Sequence, residues 1–448
     1  MTRREHDSPR SLATLVSSLV TPESGPATGG GERRAGRWVA VGVLVFLAAS
    51  APAVWRYLVA YPREIWQVDL EVYRAGGRAL WDGFPLYLVR TPSPQFLPFT
   101  YPPFGAIAAL PLAAVSLTAA GWCWTALQLG LLWYVVGRSF APLLRRVGPR
   151  AGLVQGLLAA VAVWFLPVQD GLRYGQVNAV IVALCLADLT RRDSARLPRG
   201  VLVGLAVAVK LTPGVFWLHW AFSRRWRPLV ASVVGFVVAT AGSAVVAPGA
   251  SREFWTSALW DPDRLGPNDG TPNQSVRGVL LRIGPQGTAG SLVWVVLAGL
   301  ALAGGLLLAR RLERQGDAVG VVAVVGLTAL LVSPVSWIHH AFWVVVAVGV
   351  LVGDGRGRGR VVAAAIGAGL MLLRLPWWGG AWLAQGSAPH LVARAAENCY
   401  PVFVVAGLVA IAVVSRTPQE GRAAEGSAPR DAAAEGAEGE STARSLTA

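Results

Sequence analysis

Charge is scarce in this chain. Only 15% of its 448 residues are Asp, Glu, Lys or Arg, against 54% hydrophobic residues and a mean hydropathy of +0.49. The runs 38–54, 292–308 and 319–332 carry no charged residue at all. An ordinary soluble domain is thereby excluded, because about 20 apolar residues suffice to cross the roughly 30 Å hydrocarbon layer and the chain supplies such stretches repeatedly. Period-two alternation is also missing, which argues against a membrane β-barrel. Cysteine is nearly absent: Cys123, Cys185 and Cys399 show neither metal-ligand spacing nor a disulfide framework and read as structural thiols. No Walker loop, Rossmann fingerprint or Ser/His/Asp elbow occurs. A soluble nucleotide-sugar-binding domain is therefore excluded, and any activated donor must come from the membrane. Lysine is the scarcest cation. Of 40 Lys and Arg residues only Lys210 is lysine, a bias that matches a GC-rich genome, so a lysine inside an apolar stretch calls for a reason.

What is present is an all-α polytopic membrane pattern of about twelve transmembrane helices, with a long extracytoplasmic loop after the first. The expected spans are 38–58, 120–139, 151–168, 176–190, 200–210, 212–223, 228–247, 290–309, 318–335, 340–353, 360–374 and 399–415. The first lies too far from the N-terminus, and is too long, for a cleaved signal peptide. The net charge of +15 points to short basic loops rather than to nucleic acid. Clusters at Arg145/Arg146/Arg150, Arg191/Arg192/Arg196/Arg199, Arg224/Arg225/Arg227, Arg310/Arg311/Arg314 and Arg356/Arg358/Arg360 fall on one face, together with the polar tails 1–37 and 416–448. The positive-inside rule places that face, and both termini, in the cytoplasm of a plasma-membrane protein. The tails are compositionally disordered; the membrane domain is 38–415. Residues 104–117, broken by Pro111, cannot cross without inverting every later loop and read as a juxtamembrane or re-entrant helix. Residues 200–223 must enter and return, turning at Leu211-Thr212-Pro213-Gly214. Such broken helices often line binding sites.

On this topology four polar motifs converge on the outer face: the loop 59–103, the stretch 170–178, the loop 248–289 and the stretch 333–340. Asp69 is placed to act as a general base on a hydroxyl, although alone it also suits helix capping. His339 and His340 suit tuning that base, relaying its proton or binding a leaving phosphate. Adjacent histidines diverge by about 100° on a helix, and a zinc pair prefers i, i+4 spacing, so no metal is expected. Lys210, at the helix break, suits a lipid phosphate or simple snorkelling. Arg74, Arg173 and Arg277 lie outside despite the inside bias and suit bidentate phosphate contact. Trp337 is placed to stack on a sugar ring.

Taken in order, Asp69-Leu-x-Val-Tyr73, Gly83-x-Pro-Leu-Tyr87, Phe99-Thr-Tyr101-Pro-Pro103, Gly175-Gln176-Val-Asn178, Gly204 through Lys210-Leu-Thr-Pro213, Asn273-Gln274-Ser-Val-Arg277-Gly and Ser333-Pro-x-Ser-Trp337-x-His339-His340 resemble the GT-C glycosyltransferases of family 87. These are actinobacterial polyprenyl-phosphate-mannose-dependent mannosyltransferases and their relatives. The resemblance runs from about 38 to 415 and leaves both tails outside. It implies inverting transfer of a sugar from a polyprenyl-phosphate donor to a glycolipid or polysaccharide acceptor, on the outer face, among membrane lipids and without a cofactor. Asp69 matches the family's catalytic aspartate, and His339 or His340 its histidine. Tyr73, Tyr101, Gln176, Asn178, Asn273, Gln274 and Trp337 are then the expected substrate-binding residues. An arabinofuranose donor is an open alternative within the family. A lipid-linked-sugar flippase is the rival of another class, disfavoured because the halves show no repeat.

Overall fold

A computed structural model of the chain describes residues 29–191, 197–261, 264 and 266–416. Within them all regular structure is helical, with isolated bridges pairing Arg90 with Pro98 and Asn273 with Trp337. The first third holds α1 (Gly29–Val54), α2 (Val68–Trp81), α3 (Pro103–Ala108), α4 (Leu110–Ala113), α5 (Leu117–Ser139), α6 (Ala141–Val147) and α7 (Ala151–Ala162). Next come α8 (Leu166–Tyr174), α9 (Asn178–Thr190), α10 (Val201–Val209), α11 (Val215–Phe222), α12 (Trp226–Val246), α13 (Pro248–Thr256) and α14 (Val276–Ile283). The last third contributes α15 (Gly287–Arg314), α16 (Ala318–Val332), α17 (Val344–Val352), α18 (Arg358–Leu372), α19 (Leu375–Gln385), α20 (His390–Glu397) and α21 (Cys399–Val414).

Among the described residues four helices are long and apolar enough to cross a membrane singly: Arg34–Ala60, Leu117–Ser139, Trp226–Val246 and Gly287–Arg314. Three more candidates are bent pairs, α6–α7 with α8 at 76°, α18 with α19 at 45° and α20 with α21 at 58°. Their apolar faces point outward. Val230, Val234, Val237, Val238 and Val245 on α12 are all exposed, as hydrocarbon demands and water would not tolerate. Packed inside is α16, buried at every position from Gly320 to Leu331. A helix apolar on all sides belongs at the centre of such a bundle. The protein is a polytopic, all-helical membrane protein.

Close backbone approach fixes one edge of the bundle. α1 lies against α7 through Gly42, Gly152 and Gly156, and a Cβ on Gly152 would stand 2.5 Å from the Cα of Val39. Small residues permit such contact where lipid supplies no hydrophobic drive between helices. α1 begins at Gly29, inside the segment read as tail; 1–28 and 417–448 lie outside the described residues, as do Arg192 and Arg196.

The expected break is present. α10 ends at Lys210, whose backbone is extended, a 3-10 turn follows at Thr212–Gly214, and α11 continues the chain. The 104–117 stretch forms the two short helices α3 and α4, and the Arg74 guanidinium on α2 donates to the Val115 carbonyl at 2.9 Å. The main departures from the sequence reading are α2, α13, α14, α19 and α20, helical where loops are expected. All are short, between 8 and 14 residues. Four of these (α2, α13, α14 and α20) mix charged with apolar side chains, which hides them from a hydropathy window sized for spans.

Candidate active site

A cavity of about 550 Å³ opens where α2, the 90–102 segment, the end of α8, the break after α10, the 264–272 loop and the 333–340 turn meet. Asp69 enters it from the first turn of α2. Gln67, just before that helix, takes a left-handed conformation (φ 50°) and donates from Nε2 to the Leu172 carbonyl at 2.6 Å. Gly175 closes α8 with φ 74°, and a Cβ there would fall 2.6 Å from Gln67 Oε1 and 2.7 Å from Leu70 Cβ. Only glycine combines that backbone with that proximity. The Gly175-Gln-Val-Asn motif is therefore a joint that presses the head of α2 against α8 and sets where Asp69 points.

Around Asp69 the polar groups are ordered. Tyr73 donates its hydroxyl to Gln176 Oε1 at 3.1 Å and lies 3.1 Å from the Tyr101 hydroxyl, while Gln176 hydrogen-bonds to the Asp69 carboxylate. With the Tyr73 proton given to Gln176, Tyr101 is the donor of the remaining bond, so the chain of donors runs toward Asp69. Burial pushes the Asp69 carboxyl up to about 6, against the opposing pull of the Gln176 bond and the Lys210 charge. A carboxyl in that range is a base that is ionised at neutral pH yet basic enough to take a proton.

Lys210 faces it. Its Nζ lies 2.8 Å from His340 Nε2, 3.4 Å from Asn178 Oδ1 and 5.6 Å from the centre of the Tyr101 ring. Asn178 also donates from Nδ2 to the His339 carbonyl at 3.0 Å, and the Trp337 backbone N–H donates to His340 Nδ1 at 3.2 Å. These bonds fix both the lysine and the histidine turn. His339 stands edge-on to Tyr174 with ring centres 5.9 Å apart, and its buried Nε2 has no hydrogen-bond partner.

Of the residues singled out from sequence, Asp69, Tyr101, Gln176, Lys210, Trp337, His339 and His340 line this one cavity. Tyr73 and Asn178 sit directly behind it. The others lie elsewhere. Arg74 is committed to Val115; Arg173 lies over the Tyr61 and Tyr174 rings at 5.1 and 4.8 Å; Arg277 lies over Trp294 at 4.9 Å. Asn273 is fully buried and accepts from the Ser336 and Ser275 N–H groups, and Gln274 donates to the carbonyls of Thr271 and Glu397. This Asn-Gln motif clasps the 333–340 turn to α20 instead of facing the cavity. Sequence reasoning missed Asp170, Tyr174, Arg264 and Trp377 as lining residues. The first two lie in the 170–178 motif, on the helical turns before Gln176 and Asn178. Trp377 sits on α19, where no helix was expected. Arg264 sits in an unpatterned loop; it donates to the carbonyls of Tyr87 and Phe99 and so joins two of the aromatic motifs.

Among the described residues no three His, Cys, Asp or Glu side chains converge where they could hold a metal ion. The arrangement offers a base, a cation across from it in contact with an imidazole, and a wall of Leu97, Phe254 and Leu259 continuous with the cavity.

A family model described as glycosyltransferase family 87 matches residues 99–334. The polyprenol-phosphate-mannose-dependent alpha-(1-2)-phosphatidylinositol mannoside mannosyltransferase of Mycobacterium tuberculosis is 33% identical over 374 residues, covering 80% of this chain and 86% of that protein. Its namesake in Mycolicibacterium smegmatis is 34% identical over 353 residues, 73% of this chain and 79% of the relative. The polyprenol-phosphate-mannose-dependent alpha-(1-2)-phosphatidylinositol pentamannoside mannosyltransferase of M. smegmatis is 34% identical over 369 residues, 80% and 85% respectively. No solved structure matches the chain.

Proposed function

The chain belongs to glycosyltransferase family 87, and from that membership we propose that it moves mannose from a polyprenyl-phosphate donor to a mannosylated lipid acceptor, with inversion, at the extracytoplasmic face of the plasma membrane. The observation that carries this reading is the single cavity shared by the Asp69 carboxylate and the Lys210–His340 pair. Mannose is preferred over arabinofuranose because the relatives named above are mannosyltransferases.

In the proposed step the Asp69 carboxylate takes the proton of an acceptor hydroxyl as that oxygen attacks the anomeric carbon of the donor. The bond from that carbon to the phosphate oxygen breaks, and polyprenyl phosphate leaves with the electron pair. Lys210 is the cation available to the phosphate; its ammonium, on a flexible stem, meets a single phosphate as a point charge. His340 orients it, and Asn178 fixes both. Stabilising the departing charge with a preorganised cation is the kind of interaction that grows toward the transition state. The apolar wall of Leu97, Phe254 and Leu259, with α3 and α4 near it, is the proposed slot for the polyprenyl chain. The orientation proposed with it has both termini cytoplasmic and twelve crossings, with the 59–119 and 248–289 regions outside.

The test is transfer in proteoliposomes from radiolabelled short-chain polyprenyl-phosphate-mannose, with no nucleotide sugar present, to octyl α-mannoside or phosphatidylinositol mannosides. Wild-type transfer that Asp69→Ala abolishes supports the proposal. Absence of transfer from this donor by folded wild-type protein refutes it.

A further inference from the structure

A second carboxylate lines the same cavity and has no part in the step above. Asp170, on α8, is only 2% exposed, yet it borders the cavity beside Tyr174, His339 and Trp377. Asp188, Glu313, Asp354 and Glu397 are carboxylates engaged in ion pairs. Asp170 is not one of them. Arg173 and Arg374 act on it from a distance, and Arg173 is engaged with two aromatic rings. The Trp377 indole N–H faces the Asp170 carboxylate and has no other hydrogen-bond partner. His339 Nε2, on the same wall, is likewise buried and unpartnered. Buried polar groups are ordinarily satisfied within the protein. Here a carboxylate outside any ion pair, an indole N–H and an unpartnered imidazole nitrogen border one cavity, a set that a ligand can engage.

The chemistry of the wall says what kind. A carboxylate with Trp377 and Tyr174 beside it repels phosphate and accepts hydrogen bonds from hydroxyls, while an aromatic side chain covers the apolar side of a sugar ring. A neutral polyol is what fits. Its place relative to Lys210 distinguishes donor from acceptor. Lys210 touches His340, whose ring centre is 4.9 Å from that of His339; His339 stands 5.9 Å from the Tyr174 ring, and Tyr174 is one helical turn from Asp170. Contacts therefore run from Lys210 through His340, His339 and Tyr174 to Asp170. The donor sugar is one bond from its phosphate and belongs at the Lys210 end. Asp170 lies at the opposite end of that run.

We propose that Asp170, Tyr174, His339 and Trp377 form a carbohydrate subsite that holds the acceptor sugar, Asp170 accepting hydrogen bonds from two neighbouring hydroxyls of a hexosyl ring laid against Trp377. The subsite rests on the transfer reaction proposed above for what its occupant does, but not for whether a sugar binds there.

The experiment uses the full-length protein with octyl α-mannoside as acceptor probe. Its affinity is measured by equilibrium dialysis of the radiolabelled mannoside without donor, and its KM in the transfer assay. Asp170→Asn should weaken acceptor binding and raise acceptor KM about tenfold or more, the loss expected for hydrogen bonds to a buried charge, and leave donor KM unchanged. Trp377→Phe, which keeps a ring and removes the N–H, should do the same to a smaller degree. Monodeoxy octyl mannosides add a readout that a merely structural role would not move: removal of either of two adjacent hydroxyls should weaken wild-type binding but not binding to Asp170→Asn. If Asp170→Asn does not fold, the deoxy series on wild type decides alone. Unchanged acceptor affinity, an equal rise in donor KM, or indifference of wild type to every deoxygenation overturns the subsite. Sugar binding without any transfer overturns the reaction and leaves the subsite standing.

Discussion

Transfer should rise with pH through a single ionisation near 6, because the base must be ionised and burial holds the Asp69 carboxyl at about 6. The sign follows from the role. Below the midpoint the carboxyl is protonated and cannot accept the acceptor's proton, so one pH unit down only roughly a tenth of the sites remain competent. Above it the rate should level off. Two features of the site make the midpoint movable. Lys210 stabilises the ionised carboxylate, so Lys210→Met should carry the midpoint to higher pH, whereas Lys210→Arg keeps the charge and should leave it close to the wild-type value. Gln176 hydrogen-bonds to the same carboxylate, and Gln176→Leu should also raise the midpoint. Asp69→Asn should remove the ascending limb and cost about 10²–10⁴-fold in rate, the usual contribution of a positioned base. The assay is steady-state transfer in proteoliposomes at saturating donor, from about pH 5 to about pH 8, a window that brackets the expected midpoint. A flat wild-type profile would refute the reasoning. So would a Lys210→Met enzyme, folded and active, with its midpoint unmoved.

Lys210→Met should also raise donor KM, lower kcat, or both, with normal membrane levels and thermal stability, and Lys210→Arg should rescue only in part, since a guanidinium does not fit the 2.8 Å contact with His340 as an ammonium does. Unchanged donor kinetics in a stable Lys210→Met protein would remove the phosphate role. Gly175→Ala combines a positive φ with a Cβ 2.6 Å from Gln67 Oε1 and should destabilise by about 1–3 kcal/mol, read as a lower Tm in detergent, with transfer impaired because α2 shifts. Asp269→Cys, on a background without Cys123, Cys185 and Cys399, should react with a membrane-impermeant maleimide in intact cells. Labelling only after permeabilisation would reverse the proposed orientation.

Several features of the architecture were legible from residue pattern alone because apolar runs and helix breakers act locally. The break at Lys210-Leu-Thr-Pro-Gly is encoded by Pro213 and Gly214 themselves, and it appears at the expected place. The motif residues are partly separable by the same logic. Asp69, Lys210 and the histidine pair are titratable groups in apolar surroundings, where burial without a purpose is costly. Asn273 and Gln274 look equally functional in sequence, but their side chains also bond to backbone groups from 61 to 126 residues away, a pairing no local pattern announces. Asp170 was passed over for a related reason. Its significance comes from the cavity wall it shares with His339 and Trp377, distant in sequence, which only the packed structure reveals. The arginines outside the basic face read as phosphate ligands by charge, yet ring faces and a carbonyl claim them, because a guanidinium satisfies an aromatic surface as readily as an anion.

The contact between α1 and α7 has a consequence for how the protein is made. Gly42 leaves the ribosome more than a hundred residues ahead of Gly152 and Gly156, an interval of roughly 5–20 s at ordinary rates of synthesis. During that time the first helix must reside in lipid with its glycine face uncovered. Docking is thus a step after insertion, timed by translation and independent of the hydropathy that drives the helix into the bilayer. A bulky residue at Gly152 would leave insertion intact and block closure of the bundle. The product would be a fully integrated, inactive chain with α1 detached, and it would present to the membrane quality-control machinery the small-residue groove meant for its own partner.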